Sequence, residues 1–174
     1  MQTVVLDFET FYSVKRGGEK FSLSTMTTES YINDPRFQVL GCATKTNDEE
    51  TVFVSGGAVA PHLAQIPWDK SLLVAHNATF DGSILAWVFG HTPKMYIDTL
   101  SLARLLDGVV GGVKHSLAAC SERHNVGEKG TELFNTDNKR LEDFDSESLA
   151  ALGKYCINDV ELTYRLFKIY MGKL

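Results

Sequence analysis

Short apolar runs alternate with longer amphipathic segments along this chain. The first run, VVLDFET at residues 4–10, has the length and β-branched content of a buried strand. The runs FQVLGCATKT and ETVFVS flank the turn-forming residues NDE, so they predict a β-hairpin. Strands are therefore predicted at residues 3–9, 37–46, 50–55, 72–77 and 95–98.

Helical spacing of apolar residues follows the strands. Helices are predicted at residues 80–89, with Gly90 closing the last turn, at 99–108, at 115–126, and from Ser146 or Ser148 to about Met171, capped by Asp145 or Ser146. The Ser/Thr-rich stretch 13–30 is predicted to form a loop that closes in a short helix stopped by Pro35. A hairpin followed by strands that alternate with helices predicts an α/β fold, in which helices flank a mixed β-sheet.

Composition and charge narrow the class of protein. The 174 residues are 44% hydrophobic, which fits one globular domain over residues 1–174. We see neither a membrane span nor a signal segment, and we expect a protein of the cytoplasm. The widely spaced Cys42, Cys120 and Cys156 are interpreted as buried thiols. A net charge of −5 argues against a general surface for duplex nucleic acid.

Two acids, Asp7 and Glu9, end the first predicted strand. Residues two apart in a strand point to the same face, so the two carboxylates would lie side by side. Like charges that are held close and partly desolvated repel each other and raise each other's pKa. Either this strand end is open to water, or a cation lies between the two acids.

Two later segments add acids to this pair. Asp81 falls in the first turn of a predicted helix, where an acid is favoured as a cap. Tyr155 and Asp159 lie four residues apart on one face of the last helix, which also fits ordinary packing. Taken together, however, the four carboxylates would be unstable without cations. Two divalent ions would neutralise them and activate water for attack on phosphorus, and oxygen ligands favour Mg²⁺ or Mn²⁺.

The three segments LDFET, HNATFD and YCINDVELTY resemble, in order, the three motifs of the DEDD 3′→5′ exonucleases, which have a ribonuclease-H-like fold. The histidine version of the third motif would carry His at the position of Lys154, whereas this chain has Tyr155, as in the tyrosine version. The wider pattern, including LSTMTTESYINDPRF, DTLSLARLL and GEKGTE, is similar to the proofreading domain of bacteriophage family A DNA polymerases.

This resemblance implies a role for each matching residue. The four acids would bind two ions, Mg²⁺ or Mn²⁺, with Asp81 acting through a water; these are Asp7, Glu9, Asp81 and Asp159. Tyr155 would orient the attacking water, and Asn77 would contact the DNA end. Phe8, Thr10 and Phe80 are expected to line the terminal nucleotide. Phe11 and Tyr12 are candidates for the wall on which the last base stacks.

The expected function is removal of nucleoside monophosphates from single-stranded DNA 3′ ends, for proofreading in DNA replication. The expected partners are the DNA end and a polymerase domain or subunit, and we expect a monomer in the cytoplasm of a host cell. The alternatives are an RNA-trimming exonuclease, a DxD-type phosphatase and an inactive nucleic-acid-binding or scaffold protein. The phosphatase would need Asp in place of Glu9 and a downstream lysine motif that we do not find.

Several other residues are assigned to ordinary surface or packing roles. The basic residues Lys114, Lys129, Lys139 and Arg140 could contact phosphates, but scattered basic residues of this kind usually form a solvated face. His76 adjoins the second motif and would either support a ligand or pack. The GVVGG stretch at 108–112 is predicted to be a turn, without the lysine of a phosphate-binding loop.

Overall fold

A computed structural model describes residues 1–14, 20–108, 111–130 and 136–174. Within these residues, one sheet contains the strands β1 (Gln2–Thr10), β2 (Val39–Thr46), β3 (Val52–Ser55), β4 (Ser71–Ala75) and β5 (Met95–Asp98). The strand order is β3-β2-β1-β4-β5. β2 lies antiparallel to β1 and β3, whereas β1, β4 and β5 are parallel. The predicted hairpin and mixed sheet are therefore confirmed.

The α-helices of the described residues are α1 (Thr28–Ile32), α2 (Val59–Leu63), α3 (Ala78–Trp87), α4 (Thr99–Leu106), α5 (Leu117–His124) and α6 (Ser146–Met171). Asp145 caps α6 by accepting a hydrogen bond from the Ser148 N–H at 2.7 Å, as predicted. Gly90 adopts a left-handed φ of +71° just after α3, which also agrees with the prediction. The sequence pattern does not predict α2, because five residues are too few to show helical periodicity. The predicted GVVGG turn includes residues 109–110, which lie outside the described residues.

The alternation of side chains along β1 divides the core into two layers. Val4, Leu6 and Phe8 belong to the cluster on one face, which also contains Ile84 and Leu85 of α3. Val5 lies on the other face and packs with residues of α6. Asp7 and Glu9 continue the row that Val5 begins, so their side chains are on the α6 side of the sheet.

Helix α6 packs closely against this second face. Cys156 and Val160 of α6 share a buried cluster with Val5 and Val74. At Gly153, a Cβ atom would lie only 2.7 Å from a ring carbon of Phe53, so the absence of a side chain lets the helix approach the sheet. This close approach brings the middle of α6 to the carboxyl end of β1. None of the described helices has the length and apolar composition of a membrane span.

Asp107 joins the C-terminal ends of α4, α5 and α6. Its carboxylate accepts hydrogen bonds from Arg123 Nη1 at 2.9 Å, His124 Nε2 at 2.9 Å and Tyr170 Oη at 2.8 Å, and Lys173 Nζ lies 3.6 Å away. The side chain is only 3% exposed. Burial alone would raise the pKa of Asp107, but the hydrogen bonds from His124, Tyr170 and Arg123 outweigh it and hold the pKa at about 2.

Replacing Asp107 by alanine should therefore lower the free energy of unfolding by about 3–5 kcal/mol, because it leaves buried donors and a cation without their partner. Urea denaturation at pH 7 measures this loss. Asp48→Ala is the matched control: Asp48 pairs with Lys168 but is 83% exposed, so we expect a much smaller loss of stability. Because the folded-state pKa of Asp107 is depressed, its contribution should be complete above pH 4 and should disappear as the pH falls towards 2. Equal losses in the two variants would contradict this account.

Candidate active site

Asp7 and Glu9 converge with Cys156 at the carboxyl end of β1. One potential ligand atom from each of these three residues lies within 4.8 Å of the others. The Cys156 Sγ atom is 3.4 Å from the Asp7 backbone carbonyl oxygen and 3.5 Å from Asp7 Oδ2. Burial, and then the charge of Asp7, raises the pKa of the Cys156 thiol well above its usual value. The thiol therefore stays protonated and is a weak hydrogen-bond donor to Asp7.

Asp81 reaches the same strand from α3. Its Oδ1 atom accepts a hydrogen bond from the backbone N–H of Phe8 at 3.0 Å, and the residue is 3% exposed. Phe8 lies between Asp7 and Glu9, so this bond fixes Asp81 beside the acid pair. Burial, and then the charge of Asp7, raises the pKa of Asp81 well above its ordinary value.

Asp159 and Tyr155 enter from α6, where their four-residue spacing places them on one face of the helix. Lys129 Nζ lies 2.8 Å from Asp159 Oδ2 and 5.2 Å from the centroid of the Tyr155 ring. The other carboxylate oxygen, Asp159 Oδ1, is buried and has no hydrogen-bond partner among the described residues.

The electrostatics of this cluster indicate a missing positive charge. Burial, and then the charge of Asp159, raises the pKa of Asp7 to about 7. Burial, and then Asp7 and Asp159, raises the pKa of Glu9 well above its usual value. Lys129 lowers both pKa values but does not compensate for the burial. Carboxylate oxygens, one of them buried without a partner, are the ligands that hard divalent cations prefer, so these residues fit Mg²⁺ or Mn²⁺.

Asn77 lies at the start of α3, four residues before Asp81. It has a left-handed backbone with φ +83°, a conformation that asparagine tolerates better than most residues. Its backbone N–H donates to Asp98 Oδ1 at 2.8 Å, while the residue itself is exposed. His76, before it, is held between Thr99 Oγ1 and the His115 carbonyl oxygen, each at 2.9 Å, and so acts in packing rather than at the acids.

A cavity of about 370 Å³ opens beside the end of β1. Its lining includes two of the residues predicted to contact the nucleotide, Thr10 and Phe80, together with Tyr12 and with Leu23 and Tyr31 from the 20–32 segment. The Tyr31 hydroxyl donates to the Phe11 carbonyl oxygen and lies 2.9 Å from Thr10 Oγ1. Within the described residues, the stretch after residue 19 thus forms one wall of the cavity.

Two residues predicted to contact the nucleotide, Phe8 and Phe11, have side chains that lie in the core. Phe8 is 5% exposed and stacks on Phe89 with ring centroids 5.6 Å apart, on the face of β1 opposite Asp7. Phe11 is also 5% exposed and stacks on Phe21, with the Arg140 guanidinium 4.2 Å from its centroid. Neither aromatic ring is available to stack on a nucleotide.

Three residues of the site were not predicted from the sequence: Lys129, Cys156 and Tyr31. Cys156 could have been found, because it precedes Asp159 by three residues and so shares its helix face. Lys129 lies in an irregular segment between α5 and α6, and its position there follows no periodic pattern. Assigning it to a solvated face was therefore wrong: the side chain is 29% exposed and paired with Asp159.

The fold resembles those of several solved proteins. Brucella melitensis NrnC with bound Mg²⁺ aligns with a TM-score of 0.66 and 17% identity, over 98% of this chain and 72% of NrnC. Escherichia coli RNase D, an exoribonuclease, aligns with a TM-score of 0.63 and 16% identity, over 98% of this chain and 39% of RNase D. The family B DNA polymerase of Pyrobaculum calidifontis aligns with a TM-score of 0.62 and 17% identity, over 98% of this chain and 24% of the polymerase.

These likenesses confirm the predicted ribonuclease-H-like α/β fold. Comparison with functionally described protein sequences gives no significant match. A family model described as 3′-5′ exonuclease, in contrast, matches residues 7–174. That match begins at Asp7 and includes all three acidic motifs, so the chain belongs to the 3′–5′ exonuclease family.

Proposed function

We propose that this protein hydrolyses phosphodiester bonds at single-stranded DNA 3′ ends, releases nucleoside monophosphates, and proofreads during DNA replication. The observation that carries the proposal is the convergence of Asp7, Glu9, Asp81 and Asp159 from three elements. A cavity of about 370 Å³ lies nearby, lined by Thr10 and Phe80, which adjoin Glu9 and Asp81 in the chain. Ligand cavities of about 300 Å³ and above are typical of small-molecule sites.

Exonucleases of this family use divalent metal ions. In this chain Asp7, Glu9 and Asp159 would hold two ions, Mg²⁺ or Mn²⁺, and Asp81 would contribute through a water. When bound, the ions would stabilise negative charge on the attacking and leaving oxygens. The Phe8 N–H donates to Asp81 Oδ1, which holds this carboxylate beside β1 between the two acids.

The remaining residues would place the substrate. Tyr155 is half-buried beside Asp159 and would orient the attacking water through its hydroxyl. The exposed Asn77 would contact the DNA end, and Phe80 and Thr10 would line the terminal nucleotide in the cavity. We assign the stacking wall to Tyr12, because it lines the same cavity whereas Phe11 is buried.

The choice of DNA over RNA rests on the similarity to proofreading domains of bacteriophage family A polymerases. RNA trimming is the second candidate, and it is favoured by the likeness to RNase D and to NrnC, one structure of which is bound to pGG. We further propose that residues 1–174 form one exonuclease domain, monomeric and cytoplasmic, that acts with a polymerase domain or subunit. An acid is present at each of the four motif positions, Asp7, Glu9, Asp81 and Asp159, which argues against an inactive scaffold protein.

Digestion of matched oligonucleotides tests the proposal. We expect faster release of monophosphates from single-stranded DNA than from RNA of the same sequence, and slow digestion of blunt duplex. The rate should fall only gradually with salt, because an acidic protein that holds one strand end neutralises few phosphates. Faster digestion of RNA would favour the trimming function. Equal digestion of blunt duplex and single strands would contradict a site that takes a frayed end.

A further inference from the structure

Lys129 is the feature of the site that the motif residues leave unexplained. Its ammonium lies 2.8 Å from Asp159 Oδ2, and it sits over the Tyr155 ring at 5.2 Å from the centroid. One lysine thus contacts both Tyr155 and Asp159 of α6, although it comes from the segment that follows α5.

Two hydrogen bonds just before Lys129 fasten the segment that carries it to α6. Asn158 Nδ2 donates to the Glu128 carbonyl oxygen at 3.1 Å, directly before the lysine. Arg165 Nη1 donates to the Val126 carbonyl oxygen at 2.7 Å. These bonds hold the lysine backbone in place relative to the helix, so its ammonium is preorganised toward Asp159.

The two oxygens of Asp159 have different surroundings. Lys129 occupies Oδ2, whereas Oδ1 is buried and has no hydrogen-bond partner in the part of the chain that the structure describes. A buried carboxylate oxygen without a partner is costly, which indicates a ligand that arrives later. The lysine therefore fixes the rotation of the Asp159 carboxylate and leaves Oδ1 without a hydrogen-bond partner among the described residues.

The same ammonium also affects ion binding, because it is a fixed positive charge beside the acids. Lys129 interacts electrostatically with Asp7 and Glu9 as well as with Asp159. A divalent ion at these acids would be repelled by it, so the lysine should weaken ion binding while it improves the geometry.

We propose that Lys129 is a positioning residue that aligns Asp159 and Tyr155 for the reaction at the expense of metal-ion affinity. The inference rests on the proposed ion site and predicts opposite changes in two measurements. Removing the lysine should strengthen ion binding and slow hydrolysis. Removing a metal ligand, or a residue needed only for folding, would instead reduce both the ion affinity and the rate of hydrolysis.

The test measures Mn²⁺ binding by calorimetry and single-turnover hydrolysis at saturating Mn²⁺, using the full chain. For Lys129→Met we expect about tenfold tighter Mn²⁺ binding, since a nearby like charge is removed. The rate should fall about 10- to 100-fold, in keeping with the loss of alignment at a catalytic group. Lys129→Gln keeps a donor without the charge, so it should bind Mn²⁺ more tightly and lose less rate. Lys129→Arg keeps the charge and should leave Mn²⁺ affinity within about twofold of wild type.

Lys114→Met is the matched control, because it removes the same charge from an exposed lysine and should change neither measurement. Melting curves without metal establish that each variant is folded. If Lys129→Met does not fold, the Mn²⁺ affinity and rate of Lys129→Gln test the role of the lysine instead. Weaker Mn²⁺ binding in both uncharged variants, or an unchanged rate in Lys129→Met, would overturn the inference. If wild type itself failed to bind Mn²⁺, the proposed ion site would be wrong, and this outcome is distinct from a failure of the lysine's role.

Discussion

Replacing Asp7 by alanine is expected to slow hydrolysis about 10³-fold or more. Asp7 has ligand atoms of Glu9 and Cys156 within 4.8 Å and interacts electrostatically with Asp159. Losing its carboxylate should weaken ion binding and thus remove several kcal/mol of stabilisation from the transition state. Because each 1.4 kcal/mol, roughly, corresponds to a tenfold change in rate, losing several kcal/mol of transition-state stabilisation slows hydrolysis by about 10³-fold or more.

Tyr155→Phe provides the comparison for this measurement. It keeps the ring beneath Lys129 and removes only the hydroxyl, so we expect a smaller loss of about 10- to 100-fold. Both variants should be assayed by single-turnover digestion of a short oligonucleotide at saturating Mg²⁺. A near-normal rate in Asp7→Ala would refute the site assignment. If Tyr155→Phe were as inactive as Asp7→Ala, the orienting role of Tyr155 would be wrong.

Removal of divalent ions is expected to abolish activity, and Mg²⁺ or Mn²⁺ should restore it. The same ions should raise the melting temperature, because they bind the folded carboxylate cluster and not the unfolded chain. Without ions, the stability contributed by Asp7 should fall as the pH rises from about 4 to 7. Its pKa is raised from 3.8 to about 7 in the folded protein, so in this range the folded state holds a proton that the unfolded state has lost.

Calorimetric melting at pH 5 and pH 7, with EDTA and with Mg²⁺, checks these effects together. The stabilisation by Mg²⁺ should be larger at pH 7, where the acids are more fully ionised. Asp7→Ala should abolish most of this difference and supplies the control. Full activity in EDTA, or a melting temperature that Mg²⁺ leaves unchanged, would contradict an ion-dependent site.

The regular periodicities made much of this site predictable from sequence. A period of two placed Asp7 and Glu9 on one face of β1, and a spacing of four placed Tyr155 and Asp159 on one face of α6. The order of the three motifs then indicated that these elements meet. These features are local to one element each, which explains why a single sequence reveals them.

The parts that could not be predicted depend on tertiary contacts between irregular segments. Lys129 reaches Asp159 from the chain between α5 and α6, and Tyr31 reaches Thr10 across 21 residues. The resemblance implied that Phe8 lines the terminal nucleotide, but the contacts of its ring depend on which face of β1 it occupies. Alternation along β1 directs its ring to the opposite face, where it packs on Phe89.

The most direct test of the central claim is the direction of digestion by the wild-type protein. A single-stranded oligonucleotide labelled at its 5′ end should shorten progressively in Mg²⁺, while the same strand labelled at its 3′ end should release the label at once as a mononucleotide. Asp7→Ala should do neither at a comparable rate. Release of mononucleotides from the 5′ end, or internal cleavage into short fragments, would contradict the assignment of these acids to a 3′→5′ exonuclease site.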